Sequence, residues 1–229
     1  GCDIMANQAC SATFLGRSGK VYTFANSAVA EGSTGEELLS GPSPYALTAQ
    51  SLGDYAQGDV LIAGLFTAQI DAAFCYVSYG GDIVSTVSIC TAQVVGQMVP
   101  LARPLMVKPG MVLQGGVKAL SDKTYYMSVE TASQSHVFTA TSTTAATYDL
   151  VSITTGQQVG RVLNQPVVCA FLIGVTDTQA APQGAIFVNG QGTLSGFIPL
   201  GAAHDQQPMY SKFVIPMDLN TRAQIVATA

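Results

Sequence analysis

The sequence predicts an all-β chain made of two tandem, similar β-sandwich or barrel units with very little helix. Three observations carry this. Short β-branched or aromatic runs recur along the whole chain, each bounded by Gly, Pro, Asn or Asp. Helical periodicity is scarce. The two halves also share a spacing of apolar positions.

In chain order, Lys20–Asn26 alternates apolar and polar residues, and Asp59–Ala68 is almost continuously apolar, as a core strand would be. Phe74–Tyr79 and Ile83–Ile89 flank Gly80-Gly81-Asp82, where glycines supply the positive φ of a tight hairpin. Pro104–Val107 and Met111–Val117 around Lys108-Pro109-Gly110 read as a second hairpin. Lys123–Glu130, His136–Thr141, Tyr148–Thr154, Val167–Val175, Ala185–Val188, Gly192–Ile198, Lys212–Ile215 and Gln224–Thr228 complete the strands. The helix candidates are Ser33–Leu39, where Ser33/Glu36 and Thr34/Glu37 are spaced as a capping box, and Thr91–Met98.

Laid on itself, the chain matches Lys20-Val21-Tyr22 to Lys123-Thr124-Tyr125. After a gap, Leu61-Ile62 falls on Leu172-Ile173 and Tyr76-Val77 on Phe187-Val188. This reads as an internal duplication: an N-terminal arm at 1–19, a first β-domain at 20–114, a short connector at 115–122 and a second β-domain at 123–229. Leu61, Ile62, Val77, Val87, Leu172, Ile173, Val188 and Ile198 are the expected core.

Only 10% of residues are charged, against roughly 25% in an ordinary soluble domain. Ser, Thr, Gln, Asn and Gly take their place, so the surface can be covered by a partner with little charge desolvation. Nine Lys and Arg against 14 acidic residues form no run, which disfavours a phosphate-binding surface. No apolar run is long enough for a membrane helix. Gly1–Ser11 lacks the basic start and apolar stretch of a secretory leader.

Chemistry-bearing motifs are nearly absent. The five cysteines, Cys2, Cys10, Cys75, Cys90 and Cys169, include no CxxC pair, and only Cys2 and Cys10 are placed to bridge a short N-terminal loop. His136 sits in a strand pattern. His204-Asp205 with Ser211 nearby is the one grouping that hydrolytic chemistry would use. Glu36-Glu37 is an adjacent pair whose carboxylates do not face each other. Asp54, Asp59, Asp71, Asp82 and Asp122 are scattered, with no calcium-loop spacing. No catalytic, cofactor-binding or metal-binding residue is therefore assigned, no cofactor is expected, and the chain is read as not an enzyme.

The charge-poor, Thr/Ser/Gly/Gln-rich β character of the whole chain resembles virion structural proteins: jelly-roll capsid coat or capsid-decoration proteins of icosahedral viruses and phages. The resemblance implies two jelly-roll-like units, a homo-oligomer such as a trimer or a larger shell lattice, other virion proteins as partners, no sequence-specific nucleic acid and a place in the capsid. It departs from double-jelly-roll coats in the shortness of each unit. The alternative is an extracellular adhesin or carbohydrate-binding module, although Trp is absent and the nine Tyr are scattered.

Overall fold

The structure is a computed structural model. It describes residues 7–30, 37–39, 50–68, 73–89, 98–117, 124–131, 133–141, 146–163, 167–175, 184–199, 212–215 and 217–226. These are mostly strands in antiparallel sheets, with two helical turns. The chain divides into two compact units, Gly1–Ala119 and Leu120–Ala229.

Unit 1 contains β1 (Asn7–Gly16), β2 (Val21–Ala30), β3 (Glu37–Leu39), α1 (Leu52–Tyr55), β4 (Val60–Ala68), β5 (Ala73–Tyr79), β6 (Asp82–Ile89), β7 (Val99–Met106) and β8 (Val112–Val117). They form two four-stranded sheets, β2-β1-β4-β7 and β3-β8-β5-β6. The pairing is nested. β5 pairs with β6, β4 with β7, and β3 with β8, as in one long antiparallel hairpin folded over itself. β2, the next strand outward, takes β1 as its partner, not a strand following β8.

Unit 2 contains β9 (Thr124–Glu130), β10 (Ser135–Thr141), β11 (Thr147–Ser152), α2 (Val159–Leu163), β12 (Val167–Val175), β13 (Gly184–Val188), β14 (Leu194–Pro199), β15 (Lys212–Ile215) and β16 (Arg222–Val226). The nesting recurs: β13 with β14, β12 with β15, β11 with β16, and β10 with β9. One pairing is added. Phe138↔Ser152 and Thr139↔Val151 join β10 to β11, so the eight strands run as one sheet, β14-β13-β16-β11-β10-β9-β12-β15.

Each unit has its own core. In unit 1, Phe14 and Phe24 meet edge to face at 6.0 Å between ring centres, within a buried cluster that includes Leu52, Leu61, Val77 and Leu113. In unit 2, Met127, Val129, Phe138, Leu150, Val159 and Phe187 fill the corresponding space. Of the expected core, Leu61, Val77, Val87 and Val188 are buried and Ile62 is half-buried. The side chains of Leu172, Ile173 and Ile198 lie outside the described residues.

The structure corrects four expectations. Residues 7–16 are not an outlying arm: β1 lies between β2 and β4, because Cys10, Ala12 and Phe14 alternate with Ser11, Thr13 and Leu15 and so present a fully apolar face inward. Residues 104–117 are not a hairpin, since β7 pairs with β4 and β8 with β5 and β3. The Pro-Gly turn instead carries the chain from one sheet to the other. Gly115–Val117, expected in the connector, belongs to β8. Glu37–Leu39, expected at the end of a helix, is strand, because its backbone groups find partners on Leu113–Gly115. Thr91–Gln97 of the second helix candidate lies outside the described residues. The Gly80-Gly81 hairpin is as expected, with φ of 60° and 90° and Tyr79 opposite Asp82.

Candidate assembly surface

Strands β1, β2 and β4 contain no Asp, Glu, Lys or Arg. They are neighbours, so one face of the first unit's sheet is neutral over most of its width. Ser11, Thr13 and Leu15 stand on it from β1, opposite Thr67, Leu65 and Ala63 of β4, and Thr13 stands opposite Thr23 of β2. The hydroxyls already satisfy one another. Ser11 Oγ lies 2.6 Å from Thr67 Oγ1, and Thr13 Oγ1 lies 3.4 Å from Thr23 Oγ1. A partner covering this face strands no charge, and the paired hydroxyls lose little water-bonding that they need. Val21 and Met106 extend the face toward one end and are 55% and 50% exposed.

Most of the unit's described charges, Glu37 and Arg103 excepted, gather at that end, where the β1–β2, β5–β6 and β7–β8 turns meet. Arg17, Lys20, Asp54, Asp59, Asp82 and Lys108 all stand there. Lys108 Nζ sits 5.9 Å from the centre of the Tyr79 ring. Asp59 organises the β1–β2 turn. It accepts hydrogen bonds from the Ser18 hydroxyl, the Tyr22 hydroxyl at 2.7 Å and the amides of Val60 at 2.8 Å and Ser18 at 3.3 Å. The Ser18 and Tyr22 hydroxyls, in that order, are the main reasons that its carboxyl is held down to about 2. Its Oδ2 occupies the space where a Cβ on Gly16 would lie, at 2.1 Å. The Ser18 and Tyr22 donors bind turn to sheet through Asp59, and the residue braces the end of β1. Among the scattered aspartates the sequence offered no reason to single it out. The usable signal was an Asp immediately before the most apolar strand of its half.

The second unit has two separate polar groups, one across β11 and β16 and one at the β9–β10 turn. Asp149 accepts from Gln224 Nε2 at 2.6 Å and Gln158 Nε2 at 3.4 Å and faces Arg222 Nη1 at 3.6 Å. Glu130, buried, accepts from Ser128 at 3.2 Å and from Ser135.

No catalytic, metal or cofactor residue was expected, and most of the residues that came nearest lie outside the described residues. His136 is half-buried in β10. His204, Asp205, Ser211, Glu36, Asp71 and Asp122 lie outside the described residues. Glu37 is in β3. Asp54 bonds its own helix start through Ser51. Cys10 and Cys75 are buried free thiols, and Cys2, the proposed bridging partner of Cys10, lies outside the described residues. Among the described residues no three His, Cys, Asp or Glu are grouped to hold a metal ion, and no helix is long and apolar enough to cross a membrane. No family model, curated protein or solved structure matches the chain.

Proposed function

We propose that the chain is a structural subunit of a viral or phage shell, a capsid coat or capsid-decoration protein that assembles with copies of itself and has no catalytic role. The observation that carries this reading is the strand order repeated in the two units. Taken from the first strand of each, the order is 2-1-4-7 and 3-8-5-6 in both. If strand 1 stood after strand 8, this nesting would be a jelly roll, a rolled hairpin of two Greek keys. Strand 1 lies antiparallel beside strand 2, so a short turn joins them equally well, and the chain is a jelly roll whose last strand has moved to its front. A duplicated unit of this kind suits a shell, because a trimer of such subunits presents six similar domains around one axis.

The neutral face of β1, β2 and β4 supports the same reading. A shell subunit buries surface on several sides, on the order of 800 Å² per partner at each stable contact, and rigid strands with short turns lose little entropy when they do so. The charged turn end then faces solvent. The test is the native particle. Electron microscopy of purified protein, or of the source particle with this chain located in it, finds a symmetric lattice if the reading holds. A monomer that turns over a small substrate refutes it.

A further inference from the structure

We propose that Cys10 and Cys75 form a disulfide that staples the two sheets of the first unit together under oxidising conditions. Cys10 lies on β1, in the β2-β1-β4-β7 sheet, and Cys75 lies on β5, in the β3-β8-β5-β6 sheet. Both side chains point inward, and both belong to one buried cluster. They stand toward the same end of the unit. Cys10 is opposite Ala68, the last residue of β4, and Cys75 is the third residue of β5, the next strand in the chain. The ionised Cys10 would be near enough to raise the Cys75 thiol beyond what burial does alone.

Burial also pushes the Cys10 thiol up to about 11, so the pair is inert while the unit stays closed and reacts when β1 opens. With oxidised glutathione as the oxidant, one Cys thiolate attacks its disulfide, forming a mixed disulfide and releasing one glutathione thiolate. The second Cys thiolate then attacks the protein sulfur of that mixed disulfide and releases the other glutathione. Two protein thiols are oxidised, one glutathione disulfide is reduced to two thiols, and the two protons pass to the released thiolates or to buffer. The product joins strands remote in sequence, from separate sheets, and removes conformational freedom from the unfolded chain.

The test uses the full chain in a glutathione redox buffer at mildly alkaline pH, with urea below the unfolding transition to let the unit open. After acid quenching, denaturation and alkylation, peptide mapping reads the linkage. The expected result is a Cys10–Cys75 peptide, absent from Cys10→Ser and from Cys75→Ser, with a rise in the thermal midpoint that a reducing agent reverses. Alkylation of both residues at equilibrium overturns the proposal. So does linkage of either one to Cys2, Cys90 or Cys169 instead.

Discussion

Gly53 holds in the first unit the place that Gly160 holds in the second. Gly53 donates its amide to the Met111 carbonyl at 2.9 Å, and Gly160 donates to the Thr221 carbonyl at the same distance. Each follows a fully buried apolar residue, Leu52 or Val159. Each lies on the turn before its unit's last strand, where Met111 donates to Lys108 at 3.2 Å and Thr221 to Asp218 at 3.1 Å. A Cβ on Gly53 would lie 2.7 Å from the Lys108 carbonyl oxygen, and one on Gly160 would lie 2.1 Å from that of Asp218. Both obstacles are backbone.

Alanine at an ordinary helical glycine stabilises by about 0.5–1 kcal/mol. Here the sign reverses. Gly53→Ala and Gly160→Ala each cost about 1–3 kcal/mol or more through overpacking against backbone. Denaturant unfolding followed by hydrogen exchange locates the loss, with exchange rising in residues 1–119 for the first variant and in 120–229 for the second. A neutral or stabilising effect at either site contradicts the packing described.

The Asp59 carboxyl titrates near 2 in the folded chain, below its ordinary 3.8. A lowered folded value means that the unfolded state binds more protons across that interval. The stabilisation is therefore complete above about pH 4 and is lost as pH falls toward 2. Asp59→Asn removes this part of the acid dependence. Acid titrations of the two proteins, read by Tyr fluorescence and circular dichroism, should diverge above pH 4 and converge toward pH 2. Parallel curves would exclude the brace.

Phe24 and Phe138 are fully buried at matching places, Phe24 opposite Ala12 and Phe138 opposite Met127. Truncation of either to Ala should cost about 3–5 kcal/mol in urea unfolding. A loss below about 1 kcal/mol would place that ring outside a packed core.

Strand positions were legible because two-residue alternation and turn glycines are local signals. Beyond the Gly80-Gly81 hairpin, strand partners were not. The Pro-Gly turn after β7 has hairpin chemistry, yet nothing local says whether a chain leaving a turn rejoins its own sheet or crosses to the facing one. The self-match disagrees with the ladders by one residue. It set Val77 on Val188, whereas the ladders set Val77 opposite Leu113 and Phe187 opposite Ala223, on strands β8 and β16 that hold the same place in their units. In a strand a one-residue slip exchanges the two faces, and the mixed apolar character of both faces hid it. It also laid β2 on β9, although β2 answers to β10 in strand order. Asp59 escaped notice because its Ser18 and Tyr22 donors lie far from it in sequence.

The neutral sheet face makes its own prediction. Thr13→Lys places a charge at its centre while leaving the inward residues Ala12 and Phe14 unchanged. Its thermal midpoint should stay close to that of the parent, as for most surface substitutions, while assembly is lost or weakened at least tenfold in concentration dependence by static light scattering, because a buried unpaired charge costs well over the roughly 1.4 kcal/mol that a tenfold change represents. Unchanged assembly would remove this face from the contact.

The most direct measurement is electron microscopy of the purified chain across a range of concentration and salt, with native mass spectrometry of the same samples. The account predicts symmetric, multi-copy particles or sheets in which the repeating subunit carries two similar β-units. A monodisperse monomer under every condition, with no place in any particle isolated from its source, would contradict it.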